Sequence, residues 1–175
     1  TPWMDKVRHE AFESFKHQGL PTVKHEAWRY TRLQDFATQD YSLAPTTSPQ
    51  GQAKALDTPS FGLTDKVLVQ MLNGGLYYAN QKELPDGLRI LGLGDCLEQS
   101  PELLRPYLDS QSWQHESLGL LNTAFLNDVV VMHVRENVCL ETPIQFDLLS
   151  EGPAYSISHP RAVIILESGS RAKIL

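Results

Sequence analysis

The residues best suited to chemistry stand in KHEAWRYTRL, residues 24–33, where Lys24, His25, Arg29 and Arg32 surround the rings of Trp28 and Tyr30. Cationic heads set among exposed aromatic faces are how a protein holds a single nucleic-acid strand, bases on the rings and phosphates on the cations. Here Glu26 and Asp35 interrupt the positive run, and helical spacing sets Tyr30 with Leu33 and Ala37. The stretch therefore reads as a packed cluster of Trp28, Arg29 and Tyr30 with its arginines in water or on carboxylates. The whole chain argues the same way: Lys+Arg 15 against Asp+Glu 21 gives a net charge of -6, a field that repels phosphates and anionic lipid heads. No nucleic-acid or membrane partner is expected.

The other candidate groups do not assemble into a site. The histidines show no HxH or HExxH spacing, and His115, His133 and His159 belong to separate predicted elements, which favours solvated or locally bonded imidazoles over a metal centre. GLGDC, residues 92–96, lacks the third glycine of a GxGxxG phosphate turn and reads as the turn after a strand. Cys96 and Cys139 lie far apart, with no CxxC knuckle; both are expected to be buried and inert, in a reducing compartment, with the cytoplasm as the default. Ser168 and Ser170 in ESGS flank a turn glycine rather than a nucleophile elbow. No catalytic, cofactor-binding or metal-ligating residue is assigned.

The elements that would position these groups fall into successive stretches. Thr1 and Pro2 can cap and start a helix carrying Met4, Val7, Ala11, Phe12 and Phe15 before Gly19 stops it. After GLPT a second helical pattern runs through Ala27, Tyr30, Leu33 and Phe36, closing an N-terminal helical segment over 1–44. Residues 45–62, rich in Pro, Ser, Thr and Gln, have little to bury and read as a loose linker.

Residues 63–128 read as a small α+β segment. Asn73-Gly74 lies between two β-prone runs and predicts a type I′ hairpin, with a third strand at Leu88 to Leu93 making a meander. SPELLRPYL reads as helical and cut short by Pro106, and SLGLLNTAFLND as a helix with Leu118, Leu121 and Phe125 on one side. From 129 to 175 the texture is short β runs without a fixed repeat: VVVMHV, PIQFDLLS, RAVIILE and RAKIL. The chain begins at Thr1 and ends on an unclosed strand pattern, as expected of a piece of a longer protein.

Three motifs in order, GLPTVKHEAWRYTRL (19–33), LLNTAFLND (120–128) and HPRAVIILESGSRA (159–172), resemble the SufB/SufD family of the SUF iron-sulfur cluster assembly machine, and within it the SufD type. RENVCLETPI, 135–144, is similar to a further family motif, with Arg135 where the family usually has Pro. The related SufB subunit shares the later β-rich part but not the GLPT and WRYT opening. The family-motif residues, structural or docking in role, are Trp28, Arg29, Tyr30, Asn122, His159, Pro160 and Arg161.

The resemblance implies an α+β N-terminal region of helices and a small meander, followed by the first rungs of a right-handed parallel β-helix. It implies a non-catalytic scaffold that pairs with a SufB-like paralogue and a SufC-like ATPase. That complex builds iron-sulfur clusters with ATP used by the partner, while this stretch binds no cofactor of its own. The family's cluster-related residues lie in the later core, so none is carried onto this chain. A β-helix opened at its first rungs leaves an unpaired edge, through which a homodimer is expected.

Two alternatives stay open: a cytoplasmic interaction module working through Trp3, Phe12 and Phe15, and a carbohydrate-acting β-helix enzyme. The latter needs paired carboxylates, whereas Glu136, Glu141, Asp147, Glu151 and Glu167 fall mostly in or beside predicted turns.

Overall fold

In the computed structural model, which describes residues 2–45, 53–80, 83–108 and 116–175, the chain opens with helix α1, Pro2–Gln18. Proline suits a first helical turn because the amide proton it lacks would have no partner there; the expected cap, Thr1, lies outside the described residues. The helix stops at Gly19, whose φ of 67° lets its N–H turn back to Phe15 O at 2.7 Å. Met4 and Ala11 form the buried side of α1, which packs on helix α5, Ser117–Ala124.

The second helix is not continuous. A single 3-10 turn, Glu26–Trp28, is followed by an irregular stretch and then a short α2, Gln34–Thr38. Neither piece has a side-chain cap, and neither buries a residue. Helical periodicity alone does not hold so short a helix in water; it needs an apolar face pressed against something, and here only the half-buried Phe36, 5.1 Å from the Tyr41 ring, supplies one.

Among the described residues the strands form two three-stranded sheets and one two-stranded sheet. Strands β2 (Val67–Leu72) and β3 (Gly75–Ala79) make the expected hairpin, with positive φ at both Asn73 and Gly74, 50° and 88°. The meander, however, does not form. β4 (Leu88–Leu91) leaves β3 and pairs antiparallel with β5 (Val130–Val134), while the free edge of β2 is taken in parallel by β6 (Ile144–Leu149). This arrangement lets Leu88 and Ile90 of β4 and Val67, Val69 and Met71 of β2 share one core with Val130, Met132 and Val134.

β5 is buried along its whole length. Its other face, with Val129 and Val131, belongs to a second core with Met4, Cys96, Leu104 and Leu126. That double cover explains the apolar run 129–132, as in strands enclosed on both faces, with buried His133 following it. Residues 63–128 and 129–175 are thus interleaved through shared sheets rather than laid end to end.

Later strands lie parallel to earlier ones. β8 (Ala162–Leu166) runs beside β5 with Val130 facing Ala162 and Val134 facing Leu166, and Cys139 faces Arg171 at the same offset. Ile144 meets Ile174, and the short β7 (Ser156–Ile157) lies parallel to β1 (Ser42–Leu43). Val138 and Leu140 point toward the core, so strand alternation turns Cys139 outward. It is exposed, contrary to expectation, whereas Cys96 is buried with its thiol pKa pushed up by that burial.

Two further expectations are corrected. Pro106 does not end a helix but sits in the first turn of α4, Arg105–Leu108, where proline is tolerated. The linker, whose residues 46–52 lie outside the described ones, is not loose beyond them. Leu56 donates to Gln70 Oε1 at 2.8 Å and accepts from Gln70 Nε2 at 2.9 Å, and Thr58 donates to Asp147 Oδ2 at 2.6 Å. A polar sequence with little to bury can still cover a sheet face when that face offers amides and a carboxylate.

Candidate functional site

Asn122, His159, Pro160 and Arg161 come together where α5 meets the loop entering β8. Asn122 Nδ2 donates to Pro160 O at 3.0 Å, and Arg161 Nη2 donates to Thr123 Oγ1 at 2.9 Å. The β2–β3 turn presses on the same loop: a methyl group on Gly74 would lie 3.3 Å from His159 C and O and from Pro160 N. The His159 ring stacks on Phe125 with centroids 5.4 Å apart and planes 21° apart. Burial pulls the His159 pKa below its ordinary value, so the imidazole is neutral at neutral pH. HPR is therefore a fastening point between α5, the hairpin turn and β8.

Trp28, Arg29 and Tyr30 lie elsewhere and do not form a packed cluster. Trp28 is half-buried, but Tyr30 is 92% exposed. Arg29 sits over the Tyr30 ring at 5.6 Å and within 3.9 Å of Glu26 Oε1. The break between the 3-10 turn and α2 removes the helical spacing that would have set Tyr30 with Leu33 and Ala37.

The residue that sequence reasoning missed is Asp128. Its buried carboxylate accepts three backbone N–H groups: Leu93 and Val129 on Oδ1, each at 2.8 Å, and Leu76 on Oδ2 at 2.9 Å. One side chain thereby caps helix α3 (Leu93–Gln99), holds the start of β3 and fixes the entry to β5. GLGDC is thus a helix start, with Gly92 at the cap position and the capping oxygen supplied from elsewhere in the chain. The available signal was a polar Asp closing LLNTAFLND immediately before a fully apolar run.

Two other polar groups tie later strands together. Buried His133 donates from Nε2 to Glu167 Oε1 at 2.7 Å, and Glu167 Oε2 accepts the Glu136 N–H at 2.8 Å. The bond from His133, then that from Glu136, holds the Glu167 carboxyl below the usual carboxylate range. Burial tends to raise the pKa of Asp147, but hydrogen bonds from Gln145, Thr58 and Gln70 and the charge of Lys66 outweigh it and lower the pKa. Among the described residues no group of three or more His, Cys, Asp or Glu side chains is placed to hold a metal ion; His115 lies outside them.

Beside the HPR junction lies a half-open, mostly apolar cavity of about 270 Å³, walled by α1, α5, α2 and the β1 and β7 strands. Phe12 and Phe15 of α1 are drawn to this side: Phe12 packs edge-on against Phe125 at 6.0 Å, and Phe15 lines the cavity. Trp3 packs against the second core with Arg105 over its ring. The α1 aromatics are thus largely engaged within the fold.

Sheets joined to a helical pair, with the HPR motif fastening α5, the hairpin turn and β8, are the setting in which the family comparison falls. Residues 1–146 match the family described as the SufBD protein N-terminal region. The chain belongs to the SufBD family, which ties it to SUF iron-sulfur cluster assembly. No curated protein matches the chain. Among the described residues no helix is long and apolar enough to cross a membrane.

Proposed function

We propose that the chain is the N-terminal part of a SufD-type scaffold subunit, non-catalytic and cytoplasmic, that pairs with a SufB-like paralogue and a SufC-like ATPase. The observation that carries this is the family match over residues 1–146. The D-type assignment is supported by the GLPT and WRYT opening, a motif pair that the resemblance attaches to SufD. In this reading the iron-sulfur cluster is cargo of the complex, and the chain described here contributes architecture rather than ligands.

The same proposal takes β5 to β8 and the segments after them as the first coil of a right-handed parallel β-helix. Its support is the constant offset between β5 and β8 and between Cys139 and Arg171, together with the parallel meeting of Ile144 and Ile174. The preceding strands then close the coil's first edge: β1 on β7, β2 on β6 and β4 on β5. The far edge of β8 carries no strand among the described residues, and Ile164 and Leu166 are exposed there. A homodimer of this stretch through that edge is expected; light scattering that gives a monomer at high concentration would count against it.

The test is co-purification of the tagged full-length protein from its own cells. Recovery of a SufB-like subunit and an ATPase is the expected result. Recovery of neither, with nucleic acid or carbohydrate bound instead, would overturn the proposal. A second reading, as an interaction module, is favoured by the water-exposed Tyr30 with Arg29 over its ring. It predicts that Tyr30→Ala removes one co-purifying protein while leaving the fold intact.

A further inference from the structure

The cavity beside His159 has a chemistry that the scaffold reading does not use. Its lining includes Phe15, Phe36, Tyr41, Leu121, Phe125 and His159 and contains no carboxylate, ammonium or guanidinium group. A charged ligand would lose part of its hydration against these walls without gaining a counter-charge, so the pocket favours neutral molecules. The walls are largely aromatic, with Phe36 and Tyr41 5.1 Å apart on one pair and Phe125 and His159 5.4 Å apart on another. Aromatic rings favour further rings in offset or edge-on contact.

Size narrows the class. A closed, dry apolar cavity of about 150 Å³ accepts a benzene; this pocket, open to solvent on one side, offers about 270 Å³, room for two fused rings. The lining brings two polar side-chain groups, the Tyr41 hydroxyl and the His159 ring, and of the two the neutral imidazole nitrogen is the more basic acceptor. The His159 ring lies flat on Phe125 and its nitrogens make no hydrogen bond to a described residue. Access is built in as well: the pocket opens to solvent, α2 fully buries none of its residues, and its stretch is tied to the body by the short β1–β7 pairing.

We propose that the cavity binds a small, neutral, two-ring aromatic molecule whose single N–H or O–H group meets a ring nitrogen of His159. The proposal stands independently of the cluster-assembly reading. Because His159 is neutral, it keeps an unprotonated nitrogen to accept that hydrogen bond.

The experiment uses the full-length protein with indole and with indene, the carbocycle that lacks the N–H, followed by ligand-observed saturation-transfer NMR. Both probes should bind saturably, indole more tightly by about three- to tenfold, the range of one net hydrogen bond. His159→Phe should keep indene binding and erase the preference. Ala37→Trp and Leu121→Trp, which fill the cavity from the exposed wall and from α5, should abolish both signals. Ala37 is exposed, so its variant tests the site even where Leu121→Trp does not fold. Absence of saturable binding to the wild type, equal affinity for the two probes, or unchanged binding in folded Ala37→Trp would each overturn the proposal.

Discussion

Replacing Asp128 with alanine removes the acceptor for three backbone N–H groups at once, those of Leu76, Leu93 and Val129. Asp128 is 9% exposed, so water reaches the abandoned donors poorly. A buried unsatisfied donor costs about 1–3 kcal/mol; partial relaxation keeps the total below the plain sum, and about 3–5 kcal/mol is the expected loss. For a chain of this length that corresponds to a fall in Tm of roughly 6–20 °C. Asp128→Asn separates the carboxylate's geometry from its mere polarity. An asparagine oxygen can keep the bonds to Leu93 and Val129, but its NH2 group would then face the Leu76 N–H, donor to donor. The loss should therefore be smaller than for alanine yet clear, about 1–3 kcal/mol. Urea unfolding followed by circular dichroism measures both. An alanine variant within about 0.5 kcal/mol of wild type, the range of an ordinary surface change, would refute the claim that this carboxylate joins α3, β3 and β5. So would an asparagine variant worse than alanine.

Three further outcomes follow from named contacts. Gly74→Ala places a side chain at φ 88° against the His159 and Pro160 backbone, so urea unfolding should show a loss of at least about 1–2 kcal/mol, the cost of left-handed backbone for an L-residue. The ionised form of Glu167 is favoured more in the folded protein than in the unfolded chain, so its contribution is full above pH 4.5 and is lost as pH falls through the lower folded value. Glu167→Gln should accordingly flatten the loss of stability between pH 7 and pH values below 4.5 in paired urea titrations, and an unchanged acid limb would exclude the His133–Glu167 contact as its source. Gln70→Ala leaves the Leu56 N–H and C=O without their partners, so hydrogen exchange at Leu56 should quicken by about five- to tenfold while Val69 in the core strand is unaffected.

The sequence was most legible where structure is set locally. Asn73 and Gly74 announce their turn because both residues tolerate positive φ at little cost, and Gly19 ends α1 for the same reason. Partner choice was not legible. β2 and β4 each carry a correct strand pattern, yet nothing within them says that β4 will leave the hairpin for β5, since that depends on which core the two sheets share. The second helix failed for a related reason: its apolar spacing is real, but little beyond Phe36 finds a surface and none of its residues is fully buried, and periodicity reports only what could be buried. Within the site, motif order pointed to Asn122, His159, Pro160 and Arg161, and the structure joins them. It could not point to Asp128, whose capped residue, Leu93, lies 35 positions earlier in the chain.

The polar residues that were hardest to read share one physical task. β5, β6 and β7 each have an earlier strand on one edge, and an earlier strand can hold that place only if the loops that deliver it are fixed. Asp128 fixes the delivery of β3 and β5; Asn73 does the same for the chain around Pro45 and Glu151, donating to both carbonyls and accepting the Glu151 N–H. Gln70 and Asp147 hold the covering segment on the outer face of β2 and β6. Hydrophobic burial alone would leave these registers weakly defined, because a slipped strand can still bury valines and leucines, whereas a slipped Asp128 or Asn73 strands buried donors. The directional bonds therefore select one stacking order among several of similar apolar content. A fold whose later strands stack on earlier ones in a fixed register depends on that selection more than on the depth of its core.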